Sequence, residues 1–347
     1  MRYRSTNNLL LALTALIWGS AFVAQSVGMD YLGPFTFNSI RSAMGGLVLL
    51  PVLFILKGRG RKSRQPESAA GEPSAYVSSM GGPSAGDSSM GESSVGESSV
   101  GDRKTLVTGG ILCGIALAVA SSLQQIGIAY TSAGKAGVIT ALYILIVPII
   151  RLFLGRRAGR KVWIGVALAM AGMYFLCITD GFSISKGDFL VFLCAVIFSV
   201  HILVIDHFAP KVDGVALSCI QFLVCGILCA VPMLALERPQ VDEILAAWMP
   251  LAYAGVLSCG VAYTLQVIAQ KNTDPTVASL LLSLESVFSV LTGWVILGER
   301  LSGRELFGCA LVFAAVLLAQ FPGKKMAPER GRNLGEKAVS DTDSVKF

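Results

Sequence analysis

The stretch SLLLSLESVFSVLTGWVILGERLSGRELFG, residues 279–308, carries the pattern that decides the fold. A long apolar run, interrupted by a single carboxyl at Glu285, stops at Gly298-Glu299-Arg300, and a second apolar run follows. An α-helix needs roughly 17–25 apolar residues to cross a bilayer core. Runs of this kind recur along nearly the whole chain. We read ten of them: 8–28, 35–56, 106–128, 134–154, 162–178, 187–206, 215–236, 250–269, 276–297 and 304–321. They are numbered spans 1 to 10. Composition agrees, because 54% of the 347 residues are hydrophobic and only 14% are charged. Soluble domains carry about 25% charged residues. The mean hydropathy is +0.67. The chain reads as an all-α integral membrane protein with ten transmembrane helices.

Most connections are short, which fits antiparallel neighbours. The exception is 57–105, a basic run followed by the near-repeat GDSSM, GESSV, GESSV over 86–100. It lacks the apolar content to form a core and reads as a disordered cytoplasmic loop. A loop expansion fits it better than a regulatory tail. The tail 322–347 has the same character. The organisation is therefore 1–56 for spans 1 and 2, 106–178 for spans 3 to 5, and 179–321 for spans 6 to 10.

Lys and Arg accumulate where cytoplasmic loops place them. With both termini inside, 22 of these residues lie on the cytoplasmic side and 4 on the other. Reversing the chain would invert that bias. The expected location is the cytoplasmic (inner) membrane. Arg2 and Arg4 before an apolar stretch could pass for a signal peptide, but this stretch has a counterpart later in the chain.

At an offset of 180 residues, Leu10, Leu13, Ala15 and Ile17 match Leu190, Leu193, Ala195 and Ile197, with Trp18 against Phe198. At 142, Leu123, Gln124, Ile126, Thr131, Ala136 and Leu142 match Leu265, Gln266, Ile268, Thr273, Ala278 and Leu284. At 143, Gly155, Arg157, Gly165 and Leu168 match Gly298, Arg300, Gly308 and Leu311. Five spans per half is an odd number, so the second half is inverted. Two inverted five-helix repeats are an architecture of secondary transporters, with the substrate site near the midplane between them.

Four segments carry a family resemblance: ALIWGSAFVAQSVGM (15–29), GPFTFNSIRSAMG (33–45), TSAGKAGVITALYILIVPII (131–150) and the opening stretch 279–308. They resemble the drug/metabolite transporter superfamily, in its bacterial EamA-type branch. The resemblance covers all ten spans and leaves out 57–105. It implies a ten-helix fold with a central cavity lined mainly by spans 1, 3, 4, 6, 8 and 9. It also implies export of amino acids, other metabolites or drugs. Two departures stand out. Ser286 sits where the family often has proline, and Gly155-Arg156-Arg157 replaces a Gly-Glu turn.

Ionisable groups inside spans are costly and are functional candidates by default. Glu285 lies about nine residues into span 9, roughly 14 Å deep at 1.5 Å per residue. A carboxyl there either cycles a proton or fixes helix packing. His201, in the middle of span 6, either lines the cavity and titrates or bonds a backbone carbonyl. These two are the candidates for proton coupling. Arg41 reads as structural. Lys135, at the start of span 4, either snorkels outward or faces inward towards a carboxylate substrate. Trp18, Phe22, Gln25, Gln124, Tyr143, Tyr263 and Gln266 complete the expected substrate cavity with aromatic surface and paired donors and acceptors. Pro148 and Pro232 are expected to kink spans 4 and 7.

Other classes are disfavoured. No Walker A pattern marks an ATPase. Two histidines and no acid/base or metal-ligand cluster argue against a membrane enzyme. The eight cysteines lie in apolar runs without metal-ligand spacing. No cofactor and no nucleic-acid partner are expected, since the net charge of +6 follows the membrane. The partners expected are a small-molecule substrate and the lipid bilayer. A lipid or lipid-carrier flippase on the same fold is the main alternative, and a non-transporting sensor ranks lower. One chain suffices to enclose a pathway, with a homodimer left open. The orientation predicts that a C-terminal green fluorescent protein fusion fluoresces and a C-terminal alkaline phosphatase fusion is inactive. The opposite result reverses the topology.

Overall fold

The computed structural model describes residues 2–62, 94–156, 159–177, 185–298 and 302–320. Among these, every regular element is helical. Eight helical segments are long and apolar enough to cross a membrane: Thr6–Gly28, Pro34–Ile55, Arg103–Ile128, Ala133–Phe153, Lys186–Lys211, Gly214–Glu237, Trp248–Gln270 and Pro275–Leu297. Two shorter apolar helices, Val162–Phe175 and Leu306–Leu318, occupy the places of spans 5 and 10. The limits agree with the sequence reading to within a few residues, and several runs are ended by turn residues or caps. Ser132, Asp213 and Asp274, for example, accept backbone N–H groups at the starts of spans 4, 7 and 9.

The segment 57–105 needs correction at both ends. Helix runs through Pro34–Lys62 and resumes at Ser94–Ile128. Once a span has nucleated a helix, each further residue adds a hydrogen bond at little cost, so polar flanks extend it. The expected loop at 63–93 and the tail at 322–347 lie outside the described residues.

The two repeats interleave. Span 1 lies against the second half of span 9 and against span 8, while span 6 lies against spans 4 and 3. These contacts are related by the repeat, since spans 1, 3 and 4 correspond to 6, 8 and 9. Spans 2 and 7 pair along their length, as do spans 5 and 10. Small residues make these approaches close. Ser39 Oγ donates to the Gly226 carbonyl at 3.0 Å and Ser42 Oγ to Cys225 Sγ at 3.3 Å, joining spans 2 and 7. The seven cysteines with described side chains are buried, consistent with packing.

Spans 4 and 9 are discontinuous. Span 4 divides into Ala133–Thr140 and Tyr143–Phe153, and span 9 into Pro275–Leu282 and Leu284–Leu297. The breaks, at 141–142 and 283, are related by the repeat offset. The break in span 4 is not at Pro148, which sits inside its second half. At both breaks the backbone tightens to i−3 bonds, from Ile144 to Ala141, Leu145 to Leu142 and Ser286 to Ser283. In span 9 serine hydroxyls compete for the same carbonyls: Ser279, Ser283, Ser286 and Ser289 each donate to the carbonyl three residues earlier. Such back-bonding bends helices. Pro232 does mark an irregularity, a wide π-helical turn over Met233–Glu237. A longer π-helical stretch, Tyr253–Tyr263, forms most of the first half of span 8.

The span 5–span 10 contact gives a direct test. A Cβ added at Gly172 would fall 2.7 Å from the Gly308 carbonyl oxygen and 2.9 Å from the Val312 nitrogen, both backbone atoms. We expect Gly172→Leu to lower the thermal midpoint in detergent, with a cost of about 1–3 kcal/mol or more from overpacking. Gly159→Ala, which meets nothing within 4 Å, should leave the midpoint unchanged.

Candidate functional site: a cavity on the repeat axis

A central cavity is lined by Trp18, Ala21, Phe22, Gln25, Arg41, Gln124, Thr140, Tyr143, Phe198, His201, Ile202, Ser258, Tyr263, Gln266 and Glu285. These come from spans 1, 2, 3, 4, 6, 8 and 9. Nine of the ten residues expected from the sequence are brought together here: Trp18, Phe22, Gln25, Gln124, Tyr143, His201, Tyr263, Gln266 and Glu285.

The lining is symmetric in position. At the offset of 180, Trp18, Ala21 and Phe22 correspond to Phe198, His201 and Ile202. At 142, Gln124 and Tyr143 correspond to Gln266 and Glu285. Ten of the fifteen lining residues are thus repeat mates, and the cavity straddles the pseudo-two-fold axis. Phe198 and Ile202 carry no polar signal and are absent from the sequence-based set. The repeat could have found them, since their mates Trp18 and Phe22 were in it. Thr140 and Ser258 flank the break in span 4 and lie in the π-helical stretch, features that single-residue reading does not expose.

Span 1 is tied to the π-helical stretch by side chains. Thr14 Oγ1 donates to the Ala262 carbonyl at 3.2 Å and Trp18 Nε1 to the Ser258 carbonyl at 3.5 Å. Ser20 and Tyr253 share a hydroxyl–hydroxyl bond of 2.6 Å. Trp18 stacks at a tilt on Tyr263, with ring centroids 4.4 Å apart. Tyr263 also meets the edges of Phe222 and His201. One wall of the cavity is therefore a rigid aromatic cluster.

The polar groups divide into satisfied and unsatisfied. Gln124 donates to Thr140 Oγ1 at 3.1 Å, and Gln125 donates to the Gln25 carbonyl at 3.1 Å. His201 Nε2 bonds Gln221 Oε1 at 3.1 Å, so its partner is a side chain of span 7 and not a backbone carbonyl. Arg41 donates from Nε to Asn38 Oδ1 at 2.8 Å and from Nη1 to Gln25 Oε1 at 3.4 Å, and lies over the Phe37 ring. It is anchored as expected of a structural residue, yet it also faces the cavity. In contrast, Glu285 Oε1, Gln266 Oε1 and the Tyr143 hydroxyl are buried there without a hydrogen-bond partner among the described residues. Tyr143 stands beside the Glu285 carboxyl without closing a bond of good geometry.

Lys135 is not in the cavity. Its Nζ lies 2.6 Å from Asp188 Oδ2 at the start of span 6. An ammonium group near a helix end meets an opposite charge there more cheaply than it can be carried to the protein centre. The structure also pairs Arg151 with Asp274, Nη1 to Oδ1 at 2.5 Å, and with Thr276 Oγ1 at 2.8 Å. In the sequence Arg151 registered only as one of several cytoplasmic charges.

Fold and cavity together define a multi-pass membrane transporter. The EamA-like transporter family model matches residues 6–74 and 185–321. The chain belongs to that family. An uncharacterized transporter of Archaeoglobus fulgidus is 29% identical over 309 residues, covering 89% of this chain and 83% of that protein. The uncharacterized inner membrane transporter YedA of Escherichia coli K12 is 22% identical, covering 95% and 96%. A solved crystal structure with 20% identity superposes with a TM-score of 0.64 over 91% of this chain and 96% of that one.

Removing the Arg41 guanidinium would strip Asn38 Oδ1 and Gln25 Oε1 of their donor. We expect Arg41→Met to destabilise the protein by about 1–3 kcal/mol, the typical cost of leaving buried polar groups unpaired. Thermal unfolding in detergent checks this, and an unchanged midpoint would show that the anchoring bonds contribute nothing.

Proposed function

We propose that the protein is a secondary transporter that exports a small organic metabolite across the cytoplasmic membrane by alternating access, with both termini in the cytoplasm. The central cavity is its substrate site. The observation that carries this reading is the set of buried polar groups without a good-geometry partner among the described residues, Glu285 Oε1, Gln266 Oε1 and Tyr143 Oη, gathered in one cavity with a fixed cation, Arg41. The oxygens of Glu285 and Gln266 are acceptors, and buried acceptors without donors call for a ligand that brings donors. A protonated amine does so, and the Trp18–Tyr263 face beside it suits a cation. The guanidinium of Arg41 is placed to receive an anionic group. An amino acid, or a drug-like amine with an apolar body, fits these features.

Glu285 is the group through which a proton would be coupled. It is 3% exposed and faces the cavity. Proton and substrate amine would compete for the same carboxyl, so entry of one from either side would release the other. His201 has its Nε2 engaged by Gln221 and ranks second.

A solute screen in proteoliposomes, with and without an imposed pH gradient, tests the reading. Wild type should move an amine-bearing solute uphill with the gradient, and Glu285→Gln should abolish the gradient dependence. Transport indifferent to both would make the protein a facilitator with a structural Glu285. If only lipid-linked substrates moved, the flippase reading would replace this one.

A further inference from the structure

We infer that span 4 carries two opposed ion-pair locks, one on each side of the cavity, whose alternate opening sets which side the cavity faces. The inference rests on the alternating-access reading. Three observations carry it.

First, both locks sit on the one discontinuous helix of the first repeat. Lys135 is on the half Ala133–Thr140, and Arg151 is on the half Tyr143–Phe153. They are sixteen residues apart, roughly 24 Å along a helix. The break between the halves lies at the cavity, flanked by the lining residues Thr140 and Tyr143.

Second, the acidic partners are built alike. Asp188 belongs to the capping box of span 6 and accepts from the Ser185 backbone at 2.8 Å as well as from Thr131 and Lys135. Asp274 caps the first half of span 9, accepting from the Thr276 backbone at 2.9 Å as well as from Arg151. Each carboxylate is held by its own helix start and so offers a fixed catch for a moving basic residue. Both partners belong to the second repeat. Each lock therefore ties one end of span 4 across the interface that must open.

Third, the locks are not duplicated by the repeat. The mates of Lys135 and Arg151 on span 9 are Val277 and Gly293, neither of which can form an ion pair. Several other cross-repeat polar contacts join different elements. Glu237 of span 7 accepts from Phe35, Thr36 and the Thr36 hydroxyl at the start of span 2, between two helices paired along their length. Those contacts hold the frame, while span 4 is fastened by an ion pair at each end.

Both locks are closed in this structure. Opening towards the Lys135 end must part Lys135 from Asp188 while Arg151 stays engaged, and the reverse holds for the other end. Weakening one lock should then tighten the other end, because the two open states compete. Loss of a merely structural bond loosens only its own surroundings.

Hydrogen–deuterium exchange of the full-length protein in nanodiscs separates the two cases. Lys135→Gln should raise exchange around 129–137 and 185–190 and lower it around 149–153 and 270–278. Arg151→Gln should do the opposite. The shift expected is about two- to fivefold, given the usual strength of partly exposed ion pairs. Lys135→Arg and Arg151→Lys keep the charge and should leave the wild-type pattern. Exchange that rises only near the substituted residue, or at both ends together, overturns the inference. The transport assay on wild type is scored separately. Transport with purely local exchange changes would leave the transporter reading standing without the locks. No solute transport at all would remove the transporter reading, while reciprocal exchange would still report two opposed locks.

Discussion

The structure depends on one constraint: inside a bilayer no water is present to satisfy a backbone N–H or C=O, so every such group must find a partner within the protein. Regular helix meets that requirement at no further cost. Departures from it are tolerated only where protein surrounds them or a cavity borders them. Among the described residues most of the departures border one cavity, the π-helical turn Met233–Glu237 of span 7 being outside it. The breaks at 141–142 and 283 and the π-helical stretch Tyr253–Tyr263 all contribute residues to the same cavity. Carbonyls that the irregular backbone presents are taken up by side chains of span 1, notably Thr14 and Trp18. The same bonds hold the aromatic wall, since Trp18 both donates to Ser258 and stacks on Tyr263. Irregular backbone, aromatic wall and cavity are thus three consequences of one solution to the hydrogen-bond problem.

That constraint also explains what was legible in the sequence. Spans show themselves because crossing a bilayer requires length and apolarity together, and both are local properties. Cavity residues such as Glu285, Gln266 and Gln124 show themselves because polar groups at depth are costly and few. The ion pairs of Lys135 and Arg151 were not legible, because a charge near the end of a span is ordinary. Only its partner gives it meaning, and Asp188 and Asp274 lie 53 and 123 residues away. The break in span 4 misled for a different reason. Proline is the visible signal for a kink, yet Pro148 is accommodated within a helix while the actual break lies at Ala141–Leu142. In span 9 the cause is a ladder of serines, each unremarkable by itself.

The internal repeat was the most informative feature that residue-by-residue reading left unused. Applied to the lining, it turns each candidate into a pair. Trp18 leads to Phe198 and Phe22 to Ile202. It also makes Tyr143 and Glu285 equivalents, which explains why the phenol stands beside the carboxyl: both occupy the first turn beyond a break, on helices related by the axis.

On the alternating-access reading, a frame with this pseudo-two-fold symmetry has two end states related by the axis, and a fully symmetric sequence would leave them equal in energy. The departures from symmetry therefore carry the directional information. In the cavity, Glu285 faces Tyr143 across the axis, and Arg41 has Gln221 as its mate. The positive and negative groups thus come from different repeats, and a dipolar ligand of the proposed kind would meet a site with a defined head and tail. At the two ends, both basic residues sit on span 4 and neither on span 9. On the proposed reading, motion of span 4 against the second repeat would break ion pairs that the corresponding motion of span 9 would not. On the alternating-access reading proposed above, the charges that break the symmetry would bias the two facings relative to each other.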